Sequence, residues 1–372
     1  MTGCGATGSL GTPDAPPDTQ AVVPSATAQA SATPKPGTTQ VDRGNGPQHQ
    51  PTRRPPPIPA YAVKAANKLP LAQQVGQLFL VGFPGQDLSS PVFKEVAAHG
   101  WGGLSIAAAN APTSDLYATF SNEAVAQARA ATRVPPLMLA QLDGGPQHLG
   151  ATPKEGRTNA ADASLLAQQS GITLAIEPRI DVGVGANARL ISQVAPAAVK
   201  GWMENNVMTA VAHFPGQGTA TQDPIDGPAN VGLSAEQLSK RDLIPFRTAL
   251  GVSPAVTISS AAFTAYNPVN PASTESSIIR GLLRGELRFK GVAMTDDLAS
   301  VTAVTGTGAA PTAIAAIRAG IDLVYVPEPG LRGEVYRGVL TAVKRGTLTR
   351  GRVRDACARV LVLKRRAGLF TP

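Results

Sequence analysis

Eight short apolar runs, each followed by turn residues and a helix-like segment, constrain the fold of this chain more than any other feature. Ser234 and Gln237, near the start of one such segment, have the spacing of a capping box. Strands that alternate with helices indicate βαβ units and a parallel sheet. Eight such units in about 300 residues predict an α/β fold of the (β/α)₈ barrel type. The runs cover residues 75–83, 103–108, 137–143, 172–181, 207–214, 255–263, 291–298 and 321–327, and helical patterns cover 114–131, 190–205, 234–250, 274–289, 331–346 and 350–367.

A doubly wound open sheet is the alternative fold for the same alternation of strands and helices. The first run is not followed by G-x-G-x-x-G, which argues against a dinucleotide-binding version of that fold. We therefore predict no cofactor.

The composition divides the chain into two parts. Residues 1–65 are rich in Pro, Thr, Ala, Gln, Gly and Ser and have neither helical nor strand periodicity. Such a segment cannot bury enough apolar surface to offset its chain entropy, so we expect a disordered tether. Residues 66–372 hold the apolar runs and are predicted to form the barrel with two C-terminal helices.

Cys4 follows a small residue and Gly3 and precedes this long tether. The pattern resembles the cleavage site of bacterial lipoprotein signal peptides, in which the cysteine becomes lipid-modified. No charged and apolar signal regions precede Cys4 in the sequence. The expectation is an extracytoplasmic protein, either secreted or held to a membrane only through a lipid on Cys4, since no run of about 20 apolar residues is present.

The formal net charge of +8 is concentrated near the C-terminus. Residues 344–366 contain nine Lys and Arg side chains and a single acid, Asp355. One interpretation is the solvated face of amphipathic helices, and the other is attraction to an anionic surface such as a membrane or wall polymer. Nucleic acid is not expected as a partner, because no aromatic residues are interleaved for stacking.

Polar residues collect where four of the predicted strands end. Since the carboxyl ends of parallel barrel strands meet at one face, these residues should line one cleft. Side chains alternate along a strand, so Asp296 and Asp297 should point in different directions, one of them into the cleft. The four strand ends are Gln141–Gly145 with Asp143, Glu177–Asp181, His213–Gly218 with Gln217, and Asp296–Asp297.

The residue types at these ends favour carboxylate chemistry. His213 is the only histidine among them, and no His, Cys and carboxylate cluster has metal-ligand spacing, so no metal site is predicted. A serine nucleophile would require G-x-S-x-G, which is absent. A carboxylate nucleophile indicates glycosyl chemistry, in which an Asp attacks an anomeric carbon.

Three motifs resemble those of glycoside hydrolase family 3, in particular its bacterial β-N-acetylglucosaminidases. The segment 213–218, His-Phe-Pro-Gly-Gln-Gly, resembles the family's K-H-F-P-G-H-G. The segment 294–298, Met-Thr-Asp-Asp-Leu, resembles its S/T-D-D-L nucleophile motif, and 141–145 resembles D-x-E-G-G. The resemblance extends over about residues 66–368 and implies a (β/α)₈ barrel, the fold that the strand count predicts.

The resemblance also implies roles for individual residues. Asp296 would be the nucleophile of a retaining mechanism, and His213 would bind sugar hydroxyls with help from Asp143, Gln141 and Gln217. Arg189 would stand for the family's sugar-binding Arg, and Asp181, in a P-x-x-D-V segment, would be structural. The implied partner is a carbohydrate, either an amino-sugar glycan or a peptidoglycan fragment.

Several positions depart from the family pattern. Ala212 replaces a Lys, Gln217 a His, Gln141 an acid and Pro146 an Arg, while Asp143 shortens a Glu. In the loop after strand five the family's D-S-H reads Asp223-Pro224-Ile225, so the histidine of the acid/base dyad is missing.

Two hypotheses follow from these departures. One is a slow hydrolase of β-linked N-acetylhexosamine, in which Asp223 or Asp226 takes part in proton transfer. The other is a non-catalytic surface lipoprotein that binds glycan or a protein partner.

Overall fold

The computed structural model describes residues 56–140 and 149–372, and within them eight parallel strands close into a barrel. Neighbouring barrel strands follow chain order, and the first pairs with the last through Phe79 and Val324. The predicted (β/α)₈ barrel is therefore confirmed. The strands, in chain order, are β1 Phe79–Val81, β2 Gly103–Ile106, β3 Leu137–Ala140, β4 Leu174–Ala175, β5 Met208–Phe214, β6 Asn230–Val231, β7 Ala255–Ile258, β8 Ala262–Phe263, β9 Asn267–Pro271, β10 Val292–Asp297 and β11 Leu323–Val326.

All eight predicted runs contain a barrel strand, but most strands are shorter than their runs. The first run began at Val75, whereas Val75 and Gly76 end a short helix and the strand starts at Phe79. Apolar residues continue beyond each strand because the turns beside a barrel are also buried, and periodicity alone does not mark where backbone pairing stops.

Twelve α-helices are found in the described ranges, most of them packed around the barrel. Their bounds are α1 Ala60–Lys68, α2 Leu71–Gly76, α3 Pro91–His99, α4 Ser114–Ala130, α5 Pro153–Gln169, α6 Ala188–Glu204, α7 Ala235–Lys240, α8 Leu243–Ala249, α9 Leu298–Thr305, α10 Ala309–Ala319, α11 Arg332–Lys344 and α12 Arg350–Arg366. None of these helices alone has the length and apolarity needed to cross a bilayer; α9 and α10 meet that criterion only as a pair, bent by 97°.

Two predicted helices differ in detail from the structure. The helix expected over 234–250 is divided into α7 and α8 at Arg241 and Asp242, and the predicted capping box of Ser234 and Gln237 is present. The helix expected over 274–289 is a 3₁₀ turn at Ala272–Thr274 followed by a helix of π-type hydrogen bonding at Ser277–Glu286.

Helix α1 moves the start of the folded domain toward the N-terminus. Ala62 and Ala66 of this helix are fully buried, and α1 packs against α12. A tether ending at residue 65 would cut α1 in two, so the helix belongs with the barrel. The rest of the predicted tether, residues 1–55, lies outside the described residues.

The apolar core has two layers. One fills the barrel interior, where Leu80, Leu139 and Met294 pack together with Leu363 of α12. The other lies between the strands and the surrounding helices. Helix α12 thus covers the end of the barrel at which the strands begin, and the opposite end is where a cleft can form.

A small sheet of β6, β8 and β9, which the sequence analysis did not predict, lies within the chain segments that follow β5 and β7. Two of its strands, β6 and β8, have only two residues each and are too short to give a periodic signal.

Candidate active site

His213 and Asp296 face each other at the end of the barrel where the strands finish. His213 is the next-to-last residue of β5, and Asp296 is the next-to-last residue of β10. The distance from His213 Nε2 to Asp296 Oδ2 is 3.8 Å, and the Asp296 side chain retains 23% exposure. The nucleophile predicted from the resemblance is therefore close to an imidazole and open to a ligand.

Asp181 fixes the orientation of His213. Its Oδ2 lies 2.8 Å from His213 Nδ1, and both of its oxygens accept from the His213 backbone N–H at 3.1–3.2 Å. Asp181 Oδ1 also accepts from the backbone N–H of Gln217 at 2.8 Å. With Nδ1 held by a carboxylate, Nε2 is left to face Asp296, in the way that outer carboxylates orient metal-binding or catalytic imidazoles.

The same carboxylates act on the charge of His213. Burial lowers the pKa of this imidazole, but the charges of Asp181 and Asp296 raise it by more, so the pKa lies above its ordinary value. The raised pKa favours the protonated form of the imidazole, which is the stronger hydrogen-bond donor toward a ligand oxygen.

The loop after β5 is held by several contacts. Gln217 Oε1 accepts a 2.7 Å hydrogen bond from Ser259 Oγ, at the end of β7. Gly216 has φ +118°, and a Cβ at this position would lie 2.8 Å from the Cβ of Asp242. Glycine is required here because the backbone passes so close to a buried acid.

Asp297, unlike Asp296, caps a helix. Its side chain accepts from the backbone N–H of Ala299 at 2.8 Å and caps α9. The alternation of side chains along β10 thus separates the two acids, as the sequence predicted: Asp296 faces His213 and Asp297 holds the following helix.

The loop that carries Asp223 and Asp226 is exposed. Asp223 accepts from the backbone N–H of Ile225 at 3.1 Å, which is an ordinary turn contact. Ile225 is 72% exposed, and it has no group that can move a proton. Neither aspartate has a recorded hydrogen bond or ion pair to His213 or Asp296 in the described structure.

Arg189 lies outside this group, and three other predicted residues lie outside the described residues. Arg189 is exposed in the first turn of α6, where its backbone N–H donates to Asn187. Gln141 and Asp143 lie in 141–148 and Cys4 lies in 1–55, both outside the described residues. Within the described ranges, no three His, Cys, Asp or Glu side chains are grouped as a metal site.

Glu177 is a buried acid that follows β4, and the sequence analysis did not select it as a site residue. It is only 6% exposed, and its Oε1 has no hydrogen-bond partner among the described residues. Burial raises the pKa of Glu177 to about 7, although Arg179 and His213 act in the opposite direction. No motif marks this residue; its position at a strand end was the only signal in the sequence.

A closed barrel with a carboxylate and an imidazole at its C-terminal mouth places the chain in the class of α/β-barrel proteins whose chemistry lies at that end. The family described as "Glycosyl hydrolase family 3 N terminal domain" matches residues 173–363, which is 191 of the 372 residues. The chain belongs to glycoside hydrolase family 3.

Curated relatives include a β-hexosaminidase from Stenotrophomonas maltophilia, 29% identical over 198 residues, which are 49% of this chain and 59% of the relative. Another, from Xanthomonas campestris, is 29% identical over 224 residues, which are 55% of this chain and 67% of the relative. The chain thus spans about three fifths to two thirds of the length of these proteins.

Solved structures share the fold over a larger part of the chain. A glycoside hydrolase family 3 β-N-acetylglucosaminidase from a Paenibacillus species superposes with a TM-score of 0.77 at 28% identity, covering 82% of this chain and 64% of that one. A β-N-acetylhexosaminidase from Beutenbergia cavernae gives a TM-score of 0.71 at 24% identity, covering 80% and 99%.

Proposed function

We propose that this protein is a retaining glycosidase that hydrolyses β-linked N-acetylhexosamine in an amino-sugar glycan or peptidoglycan fragment. The observation that supports this most directly is the pair of Asp296 and His213 at the mouth of the barrel, 3.8 Å apart. The substrate class comes from the relatives, which are named as β-hexosaminidases and β-N-acetylglucosaminidases.

In this proposal Asp296 attacks the anomeric carbon, and the bond to the leaving-group oxygen breaks as that oxygen takes a proton from an acid. The resulting glycosyl ester on Asp296 is hydrolysed by a water, whose proton returns to the same acid. His213 donates Nε2–H to a sugar hydroxyl, while Asp181 keeps the ring in place.

The proton donor of this site differs from the one that the family resemblance implies. Ile225 occupies the position of the family's dyad histidine, and loss of a general acid typically reduces the rate by about 10²–10⁴-fold. Asp223 and Asp226 are exposed in the loop. Glu177 has the protonation state that a general acid needs, because a pKa of about 7 keeps it largely neutral at pH 6. We propose Glu177 as the proton donor, with Asp226 as the alternative.

The decisive experiment measures release of the aryl group from an aryl N-acetyl-β-glucosaminide by the native protein and by Asp296→Ala. Turnover that disappears in the variant supports the proposal, and equal rates for the two proteins contradict it. Azide rescue distinguishes the acids, because a glycosyl azide should form with Glu177→Gln if Glu177 is the donor and with Asp226→Asn if Asp226 is.

A non-catalytic cell-surface lipoprotein that binds glycan or a protein partner is the second candidate, and Ile225 is the observation that favours it. This hypothesis predicts that a 2-fluoro glycoside leaves no covalent adduct, whereas trapping on Asp296 would contradict it.

For either function we propose an extracytoplasmic location with a lipid on Cys4. A diacylglyceryl N-terminal peptide in a membrane fraction would support that location, and a native protein found only in the soluble fraction would contradict it.

A further inference from the structure

A cavity lies at the opposite end of the barrel from His213 and Asp296. It has a volume of about 490 Å³, and its wall includes Pro254 and Gly291, the residues that immediately precede β7 and β10. The backbone N–H of Val292 donates to the Pro254 carbonyl at 3.0 Å, which joins these two strand starts. This cavity is therefore at the end where the strands begin, and it belongs to no part of the site described above.

The lining of this cavity is cationic. Of the 18 described residues that line it, five are Lys or Arg and none is Asp or Glu. Lys290 and Arg366 are exposed at the surface. Arg247 donates to Ser239 Oγ at 3.0 Å and forms an ion pair with Glu286 at 3.4 Å; the Glu286 side chain is 58% exposed, so water screens that pair strongly. The five cationic residues are Arg247, Arg288, Lys290, Arg359 and Arg366.

Behind the lining, one buried carboxylate serves three guanidinium groups. Asp322 is 1% exposed and lies 2.6 Å from Arg284, 2.7 Å from Arg352 and 3.8 Å from Arg359. Its two oxygens are already occupied by Arg284 and Arg352, which leaves Arg359 at ion-pair distance without a hydrogen bond to the carboxylate. Arg359, with its side chain 11% exposed, lines the cavity and donates to the Lys290 carbonyl at 3.4 Å. Among the described residues, this cluster of one carboxylate and three guanidinium groups carries a net positive charge.

A second guanidinium of this cluster lies directly behind the cavity wall. Arg284 lies over the ring of Phe289 at 5.1 Å from its centroid, and Phe289 lines the cavity. Burial, together with the charges of Arg359 and Arg352, lowers the pKa of Arg284 to about 10, although Asp322 acts to raise it. Mutual repulsion of these cations would be relieved by an anion in the cavity.

We propose that this cavity binds a phosphate group, either of a soluble phosphate ester or of an anionic lipid headgroup. Several guanidinium groups and one ammonium around a pocket are the usual recognition chemistry for phosphate. The cavity volume lies in the range of small-ligand sites, which is about 300–1,000 Å³. Apolar wall residues, among them Ile58 and Val362, provide a surface for the organic part of such a ligand. The proposal stands apart from the glycosidase activity, since it uses none of the same residues.

The test compares two double variants of the full chain that remove equal charge. Lys290→Gln with Arg366→Gln alters the cavity, and Arg345→Gln with Arg350→Gln removes two exposed cations that do not line it. Glycerol 3-phosphate is titrated calorimetrically, and binding to phosphatidylglycerol vesicles is measured by sedimentation against phosphatidylcholine vesicles. Because charge-assisted hydrogen bonds to phosphate are the strong ones, the cavity variant should bind at least tenfold more weakly, while the control should change less than twofold.

Binding of the soluble ester that the cavity variant weakens assigns the cavity to soluble phosphates. Binding that is confined to the phosphatidylglycerol vesicles and is weakened in the same way assigns it to a lipid headgroup. The proposal is overturned if neither probe binds saturably, or if the control variant weakens binding as much as the cavity variant. Both variants are checked for unchanged thermal unfolding, so that a loss of binding is not a loss of fold.

Discussion

Replacing Glu177 by Gln should remove a pH-dependent loss of stability from this protein. The Glu177 pKa rises from 4.5 to about 7 on folding because burial disfavours the carboxylate. Below pH 4.5 the carboxyl is protonated in both the folded and the unfolded chain. Between 4.5 and about 7 only the unfolded chain releases the proton, so the free energy of unfolding decreases as the pH rises.

The size of this effect follows from the two pKa values. Since one pKa unit corresponds to about 1.4 kcal/mol, the rise from 4.5 to about 7 corresponds to roughly 3 kcal/mol, lost in full above pH 7. The glutamine does not titrate. The stability of Glu177→Gln relative to the native protein should therefore increase by about 3 kcal/mol between pH 4 and pH 8.

Chemical unfolding followed by tryptophan fluorescence at several pH values measures this difference. Contributions from other titrating groups cancel between the two proteins, and Glu236→Gln serves as a control because it removes a carboxylate that is 74% exposed. A difference between Glu177→Gln and the native protein that stays constant with pH, or that decreases as the pH rises, would refute the reasoning.

Three further results are expected. Asp181→Asn should lower the pKa of His213, measured by NMR of the imidazole, whereas Asp223→Asn should leave it nearly unchanged; equal effects would contradict the positioning role of Asp181. Asp322→Ala should destabilise the protein by about 3–5 kcal/mol in chemical unfolding, because it leaves buried guanidinium groups without their carboxylate; a loss below about 1 kcal/mol would argue against that cluster. Cys357 should resist alkylation at pH 8 in the native protein and react only after unfolding, since burial raises its thiol pKa to about 12; rapid native labelling would show the thiol to be accessible.

The sequence was sufficient for the barrel because every strand carries its own local signal. Apolar runs bounded by turn residues identify a buried parallel strand without any knowledge of its neighbours. The ends of the strands were less accurate, as the helical Val75 demonstrates, because buried turns are as apolar as strands. The sheet of β6, β8 and β9 was missed since its strands of two and five residues form only through contacts between distant loops.

The candidate site was predictable only where a residue lies at a strand end. Asp296 and His213 were placed by that reasoning, and the structure puts them 3.8 Å apart. The hold of Asp181 on His213 was not predictable, because it depends on how closely the segment after β4 approaches β5. The same is true of Glu177, whose raised pKa results from burial among residues that are remote in sequence.

The uniform direction of the barrel strands gives the molecule two separate poles. Asp296 lies at the pole where the strands finish and Arg359 at the pole where they begin, and the side chains of the barrel interior lie between them. A large partner bound at the pole of Arg359 would leave the entrance beside Asp296 unobstructed. Binding at one pole does not block the other, so the proposed glycan site and the proposed phosphate site can be occupied at the same time.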